Sequence, residues 1–361
     1  MKRHLSGLTL CISALAIISC AKSQKTGPNE AGQRYFEAWA SVQGLKDKTP
    51  LGSYIMESTQ GDGAEIEEDG YVSVKYTISD LEGTISSFTE EEQARQLGSY
   101  SISSYYGPKI WSTETNKIQT GVMEILKGVK VGGKVKAAIP SWLLTYQTYT
   151  SAEEYLKHSS SYTDAIYDIE VVDFTTDILE WQIDRIVEYF EAHRDVFPEM
   201  TKADSLADYR GFYYQMLSAP IVDKGEEAEG SEGEESEEDE GNGFPSDTTI
   251  YINYTGKLLN GLVFDTTIEK IAKDNGLYSA DKTYEPVRIN WGENFSDITM
   301  GSNESSIITG FALTLWQMGA MEKGIGIFPS PYGYGATGTG SSIPGYEPLI
   351  FEIELVEKPE E

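Results

Sequence analysis

Histidine and cysteine are nearly missing from this chain of 361 residues, and each scarcity closes off a class of chemistry. The three histidines are His4, His158 and His193. His158 and His193 stand alone in polar surroundings, so no histidine cluster can hold a metal and no catalytic triad is in view. The two cysteines, Cys11 and Cys20, both fall near the N-terminus, which leaves the remainder without a disulfide. Positive charge is also short: 28 basic residues against 58 acidic ones give a formal net charge of −30. Phosphate backbones need a basic face, so nucleic acid is excluded as a partner. The stretch "GATGTG" at 335–340 lacks the lysine and the following helix of a phosphate-cradling loop and reads as a turn.

Long apolar runs are absent as well, with one exception at the start. Met1-Lys2-Arg3-His4 is basic, and the "LTLCISALAII" that follows is too short to span a bilayer comfortably. The run ends in Ile18-Ser19-Cys20, an aliphatic–small–Cys sequence resembling a bacterial lipobox. The expectation is a lipoprotein signal peptide over residues 1–19, cleaved before a lipidated Cys20. The lipid would anchor the protein to a membrane of the bacterial cell envelope, facing the periplasm or at the cell surface. A secretory peptide that happens to contain cysteine, and an uncleaved anchor, are the alternatives. Residues 20–33 are polar and form the expected tether.

What fills the rest is an internal duplication. "QRYFEAWASV" (33–42) and "DRIVEYFEAH" (184–193) share Tyr-Phe-Glu-Ala, and each lies in a stretch of helical period. A strand containing Tyr follows each: "LGSYIMES" from Leu51 and "GFYYQMLS" from Gly211. Then come "YVSVKYTISDLEG" from Tyr71 and "TIYINYTGKLLNG" from Thr249, where Tyr-Thr precedes a glycine by the same interval. Four features repeated in one order mark two copies of a helix plus a β-rich domain. The expected division is a helix at 34–47, a domain at 48–175, a linker helix at 176–203 and a domain at 204–361. In the second copy Ile250, Ile252 and Tyr254 share one strand face, and Leu349, Phe351, Ile353 and Leu355 share another, opposite Glu352 and Glu354. The "DKGEEAEGSEGEESEEDEGNG" run within an acidic loop at 223–247 has nothing to bury and lacks the spacing of a calcium loop, so it reads as solvated.

No hydrolase or nucleotide signature survives; an aromatic and aliphatic constellation does. "YTGKLLNGLVFD" (254–265), "IITGF" (307–311), "PSPYGYGATG" (329–338), "IPG" (343–345) and "LIFEIEL" (349–355) occur in order. In these the second domain resembles the FK506-binding-protein (FKBP) family of peptidyl-prolyl cis–trans isomerases. The resemblance implies an α+β fold of two FKBP-like domains, each a twisted antiparallel sheet wrapped around a short helix that "GFALTLWQM" would begin. It implies Asp265, Tyr334 and Phe351 as catalytic residues. Tyr254, Phe264, Val287, Ile307, Ile308, Phe311 and Ile343 would line a proline pocket. Clients would be proline-containing exported polypeptides, with no cofactor and no metal, and a macrolide stays open as a ligand. Phe311 stands where most members place Trp, and Val287 where many have Phe. Insertions at 271–285 and 293–306 would reshape the rim. The first domain carries Ser86 and Ser87 in place of Phe264 and Asp265, Gln119 for Ile308 and Val122 for Phe311, while Tyr76 and Tyr167 keep the positions of Tyr254 and Phe351. It reads as a degenerate copy. The rival reading is a non-catalytic FKBP-like binding module or chaperone in an envelope complex.

Overall fold

A computed structural model describes residues 28–148, 163–218 and 244–359, with 153, 154 and 157 between the first two segments. Cys20 and the acidic run at 223–243 lie outside the described residues. Helix α1 (Pro28–Val42) precedes the first sheet. It starts before the expected residue 34, so part of the supposed tether is helical. The reason is local: Pro28 needs no N–H in a first turn. The helix ends in a Schellman motif, in which Leu45 N–H reaches Ala40 O (3.0 Å) and Gly44 N–H reaches Ser41 O (3.0 Å), with Gly44 at φ 72°.

The first sheet is built from β1 (Tyr54–Thr59), β2 (Tyr71–Ser79), β3 (Ile85–Phe88), β4 (Lys109–Ser112), β5 (Lys134–Ile139) and β6 (Ala165–Thr175). Its order is β1-β5-β6-β2-β3, with β4 also on β2, all antiparallel. Short helices α2 (Glu91–Gln96) and α3 (Thr120–Leu126) interrupt it. Helix α4 (Ile178–Ala192) then leads to the second sheet. That helix is shorter than the expected 176–203: it stops at His193, and Pro198, a few residues on, cannot continue it. Its N-terminus is capped by the Asp177 side chain, which accepts from Glu180 N–H at 2.9 Å.

The second sheet contains β7 (Tyr213–Ser218), β8 (Thr249–Leu258), β9 (Val263–Thr266), β10 (Val287–Asn290), β11 (Thr299–Met300), β12 (Ser305–Ser306), β13 (Lys323–Phe328) and β14 (Leu349–Val356). Read from β7, its order is β7-β13-β14-β8-β10-β11-β12, with β9 on β8. Strand for strand this repeats the first sheet, and the hairpin β11–β12 is the addition supplied by the 293–306 insertion. Helices α5 (Glu269–Asp274) and α6 (Thr309–Trp316) match α2 and α3. Of these, α3 and α6 are the short helices around which the two antiparallel sheets wrap, as expected.

Both cores form where α3 or α6 lies on its sheet. Phe311, Leu315, Phe328, Phe351 and Ile353 are buried together in the second domain, and Val122, Leu126, Val135, Ile139 and Ile169 in the first. The two helices begin with equivalent glycines. A Cβ on Gly121 would come within 2.4 Å of Ile139, and one on Gly310 within 2.3 Å of Phe328, so only glycine allows this approach. On the other face of the second sheet, Ile186 and Phe190 of α4 pack with Tyr213, Ile325, Ile327 and Ile350. Among the described residues no helix is long and apolar enough to cross a membrane.

Candidate active site

β8 and β14 run antiparallel with Phe351 opposite Gly256 and Ile353 opposite Tyr254, which sets the Tyr254 and Phe351 rings on the face toward α6. Phe351 is the hub of the aromatic set. It meets Phe311 edge-on at 4.9 Å, Phe264 edge-on at 5.5 Å and Phe328 in a stack at 5.9 Å, with Tyr254 at 6.3 Å. Tyr254 and Phe311 close the ring at 5.3 Å and 85°. Edge-to-face pairs of this kind match ring edges to ring faces and hold one another in place. The crossing depends on Gly256, because a Cβ there would lie 2.5 Å from Phe264 and 2.9 Å from Phe351.

Around this floor the other expected residues are arranged by three elements. Ile308 is the N-cap of α6, and Ile307 and Ile308 pack on the core that contains Phe311. Val287 pairs with Ile252 in the β10–β8 register, on the face that carries Tyr254. Ile343, 3% exposed, and Tyr334, 37% exposed, come from the connection between β13 and β14. Ile343 is thus buried in the core that holds Phe311 and Phe351, while Tyr334 stands at the surface.

Asp265 is not a free carboxylate. Its Oδ2 accepts the Tyr254 hydroxyl at 2.6 Å, and its Oδ1 accepts Thr266 N–H at 2.9 Å and Lys282 Nζ at 2.7 Å. Burial, followed by the Asp265 charge, pushes the Tyr254 phenol well above the usual tyrosine range. The same two causes raise Tyr334. Both hydroxyls therefore stay protonated at neutral pH and can donate. Lys282 and Phe328 are part of the arrangement but were not among the sequence-predicted residues. Lys282 sits in the 271–285 insertion, where only its charge could have hinted at a partner. Phe328 ends an apolar "GIGIF" run that reads simply as a buried strand. Among the described residues no group of histidine, cysteine or acidic side chains is placed to hold a metal.

The profile of the FKBP-type peptidyl-prolyl cis-trans isomerase family matches residues 242–356. FK506-binding protein 1A of Aspergillus fumigatus is 31% identical over 107 residues, which cover 30% of this chain and 74% of that protein. The chain belongs to the FKBP-type peptidyl-prolyl isomerase family. FK506-binding protein 2 of Dictyostelium discoideum is 29% identical over 116 residues, covering 31% of this chain and 65% of that protein. The FKBP-type 22 kDa peptidyl-prolyl cis-trans isomerase of Escherichia coli is 29% identical over 108 residues, 30% of this chain and 40% of its own length. The chain thus spans less than two thirds of the length of these last two relatives.

The match falls on the second sheet, and the first sheet repeats its strand order with other residues at the positions of the cup. Tyr167 stands opposite Ile78 as Phe351 stands opposite Gly256. Ser87 Oγ reaches the Tyr76 hydroxyl at 3.5 Å, a neutral and weaker counterpart of the Asp265–Tyr254 bond. Gln119, the N-cap of α3 as Ile308 is of α6, accepts the Tyr167 hydroxyl at 2.8 Å. Trp111 leans on Tyr76 at 4.9 Å. The result is a cavity of about 430 Å³ lined by Trp111, Ile118, Val122 and Tyr167, and also by Ala336 and Tyr346 of the second domain.

Proposed function

We propose that the second domain catalyses cis–trans rotation about X-Pro bonds in exported or envelope polypeptides, assisting their folding. The observation that carries this reading is the Phe351-centred ring cup, floored by Phe311 and walled by Tyr254 and Phe264, with a donor hydroxyl at its lip. Rotation of the amide must cross a barrier of about 18–20 kcal/mol, most of it lost resonance. A prolyl ring held among aromatic faces brings its preceding carbonyl out of water. The twisted amide is less charge-separated than the planar one, so it loses less on desolvation and is favoured in the cup. Tyr334 donates a hydrogen bond that orients the carbonyl. Asp265, which already accepts three hydrogen bonds, acts chiefly by fixing Tyr254 as a wall and by its negative field. Neither a covalent intermediate nor a cofactor enters the step.

For location, the basic start, the short apolar run and Ile18-Ser19-Cys20 support a lipid anchor at Cys20 in the bacterial envelope. Two acyl signals or their equivalent give stable attachment without a spanning helix. Proline-containing segments of exported proteins are the proposed clients. The test uses residues 21–361 in a protease-coupled or NMR exchange assay with a panel of X-Pro peptides. Acceleration by the wild type that falls in Phe351→Leu but persists in Tyr167→Ala supports catalysis in the second domain. A folded wild type that accelerates no peptide turns the assignment to a binding module. Cys20→Ala in the full chain should take up no labelled fatty acid, and equal labelling of that variant would sink the anchor.

A further inference from the structure

The connection between β13 and β14, residues 329–348, supplies Tyr334 and Ile343 to the cup, yet it is fastened at four places to parts of the chain outside its own domain. At its stem, Ser330 N–H donates to Gln182 Oε1 of α4 at 2.7 Å, and the Gln182 side chain is 1% exposed. At its tip, Ser341 O accepts Tyr105 N–H at 2.9 Å from the connection between α2 and β4, and the Tyr105 ring packs on the second domain's core. On its return leg, Tyr346 meets Tyr71 of β2 edge-on at 5.3 Å. Next to it Glu347, 4% exposed, lies 3.5 Å from Arg185 of α4. Arg185 rests over the Trp181 ring at 4.7 Å, and Trp181 Nε1–H donates to Asp173 of β6 at 2.7 Å. A chain of contacts thus runs from the first sheet through α4 to the loop.

The loop needs such support. Tyr346 adopts φ 62°, a left-handed conformation that a tyrosine holds only when its surroundings impose it. Its N–H reaches back to Gly335 O at 2.8 Å, next to Tyr334. What fixes Tyr346 therefore fixes the backbone beside the lip hydroxyl. A buried carboxylate such as Glu347 is tolerable only beside its cation, so Arg185 sets where the return leg can lie. The altered cup of the first domain takes part as a seat, since Ala336 and Tyr346 form one of its walls.

From these contacts we infer that the first domain and α4 act as a clamp on the isomerase loop, with Tyr71, Tyr105 and Arg185 as positioning residues for Tyr334. This rests on the isomerase reading and assigns the degenerate copy a task within the same reaction. The loop is held in place before substrate arrives, so the lip hydroxyl need not be ordered during each turnover.

The experiment uses residues 21–361 carrying Tyr71→Leu with Arg185→Met, and separately Arg185→Lys, each shown folded by circular dichroism. The double variant should lose roughly fivefold in kcat/KM, the scale of one net hydrogen bond at the lip. Arg185→Lys should recover part of the loss. In a Tyr334→Phe background the same double change should cost less than about twofold, because the hydroxyl it positions is gone. Hydrogen exchange at loop amides such as Gly335 and Tyr346 should speed up in the double variant, and this is read whether or not the enzyme turns over. If the double variant does not fold, Tyr71→Leu alone gives the same comparison at smaller amplitude. A wild type without activity refutes the isomerase reading alone. Loop amides equally protected in variant and wild type, or equal losses with and without the Tyr334 hydroxyl, overturn the clamp.

Discussion

Replacing Asp265 with asparagine is the sharpest perturbation of the candidate site, because it changes charge and acceptor count while nearly preserving shape. The carboxylate accepts three bonds: Tyr254 hydroxyl at 2.6 Å, Thr266 N–H at 2.9 Å and Lys282 Nζ at 2.7 Å. An asparagine that keeps its oxygen toward Tyr254 turns an NH₂ toward two donors, and one that serves Thr266 abandons Tyr254. Either way a half-buried donor loses its partner, at about 1–3 kcal/mol. The Lys282 pair adds little, since both side chains are about two-fifths exposed and exposed pairs contribute roughly 0–1 kcal/mol. With three of its roughly four acceptor sites taken, and its shortest bond made to Tyr254, Asp265 should act mainly through Tyr254. Asp265→Asn is then expected to lower kcat/KM about tenfold, on the order of 1.4 kcal/mol. In a Tyr254→Phe background, where the donor is already gone, the same change should cost less than about threefold. The coupling, on the order of 1 kcal/mol, falls in the range for residues in one hydrogen-bonded network. Protease-coupled kinetics on the four proteins of the cycle, with urea melts alongside, measure it. An equal fold-loss in both backgrounds would show that Asp265 acts on the substrate directly and would refute the reasoning.

Gly256→Ala should displace the Phe264 and Phe351 rings that its new Cβ would otherwise strike. We expect a loss of about 1–3 kcal/mol in stability by overpacking and a larger proportional drop in isomerase rate, measured by urea melts and peptide kinetics; unchanged values for both would contradict the ring geometry. Tyr167 and Tyr213 are each pushed up to about 12 by burial, so the folded state holds their protons more tightly than the unfolded chain. Their contribution is full below the unfolded tyrosine value near 10 and is lost as pH climbs through about 12, on the order of 2 kcal/mol each. Thermal melts followed by far-UV circular dichroism should fall steeply above pH 10, and the Tyr167→Phe/Tyr213→Phe double variant should flatten that fall; the same slope in both proteins would contradict it. Replacing residues 226–240 with a short Gly/Ser linker should leave the melting temperature and the isomerase rate nearly unchanged, since the segment has almost no apolar side chain to bury. A large loss of either would mean that it packs or binds an ion.

Much of the second domain could be read from the sequence because its elements are set by short-range pattern. Alternation in 249–258 and 349–356 orients Tyr254 and Phe351 before any contact is known, and a two-residue period leaves no other face for them. The duplication follows from the order of features, and it reappears in the matching strand order of the two sheets. Helix ends were less legible. Pro28 and Gly44 act through backbone geometry that periodicity does not register, so α1 begins earlier and stops sooner than the apolar spacing suggests. Lys282 lies in an insertion with no repeat or period, and its partner Asp265 is defined only once the chain folds back.

The fate of the first domain shows where sequence reasoning stops for a physical reason. Comparing copies by position reveals a loss: a serine for the acid, a valine for the floor aromatic, a glutamine for an isoleucine. By that comparison the domain has only decayed. The contacts behind the proposed clamp, Tyr105 on Ser341, Tyr71 on Tyr346 and Arg185 on Glu347, involve positions that have no special standing in either repeat. They arise because two copies, once joined by α4, present different surfaces to each other. If the clamp is the first domain's task, substitutions in its cup leave that task intact, because the clamp uses Tyr71 and Tyr105 rather than the cup positions Ser86, Ser87 and Val122. The cavity at the altered cup fits that logic, because its missing wall is supplied by Ala336 and Tyr346 from the loop of the copy that keeps the aromatic set.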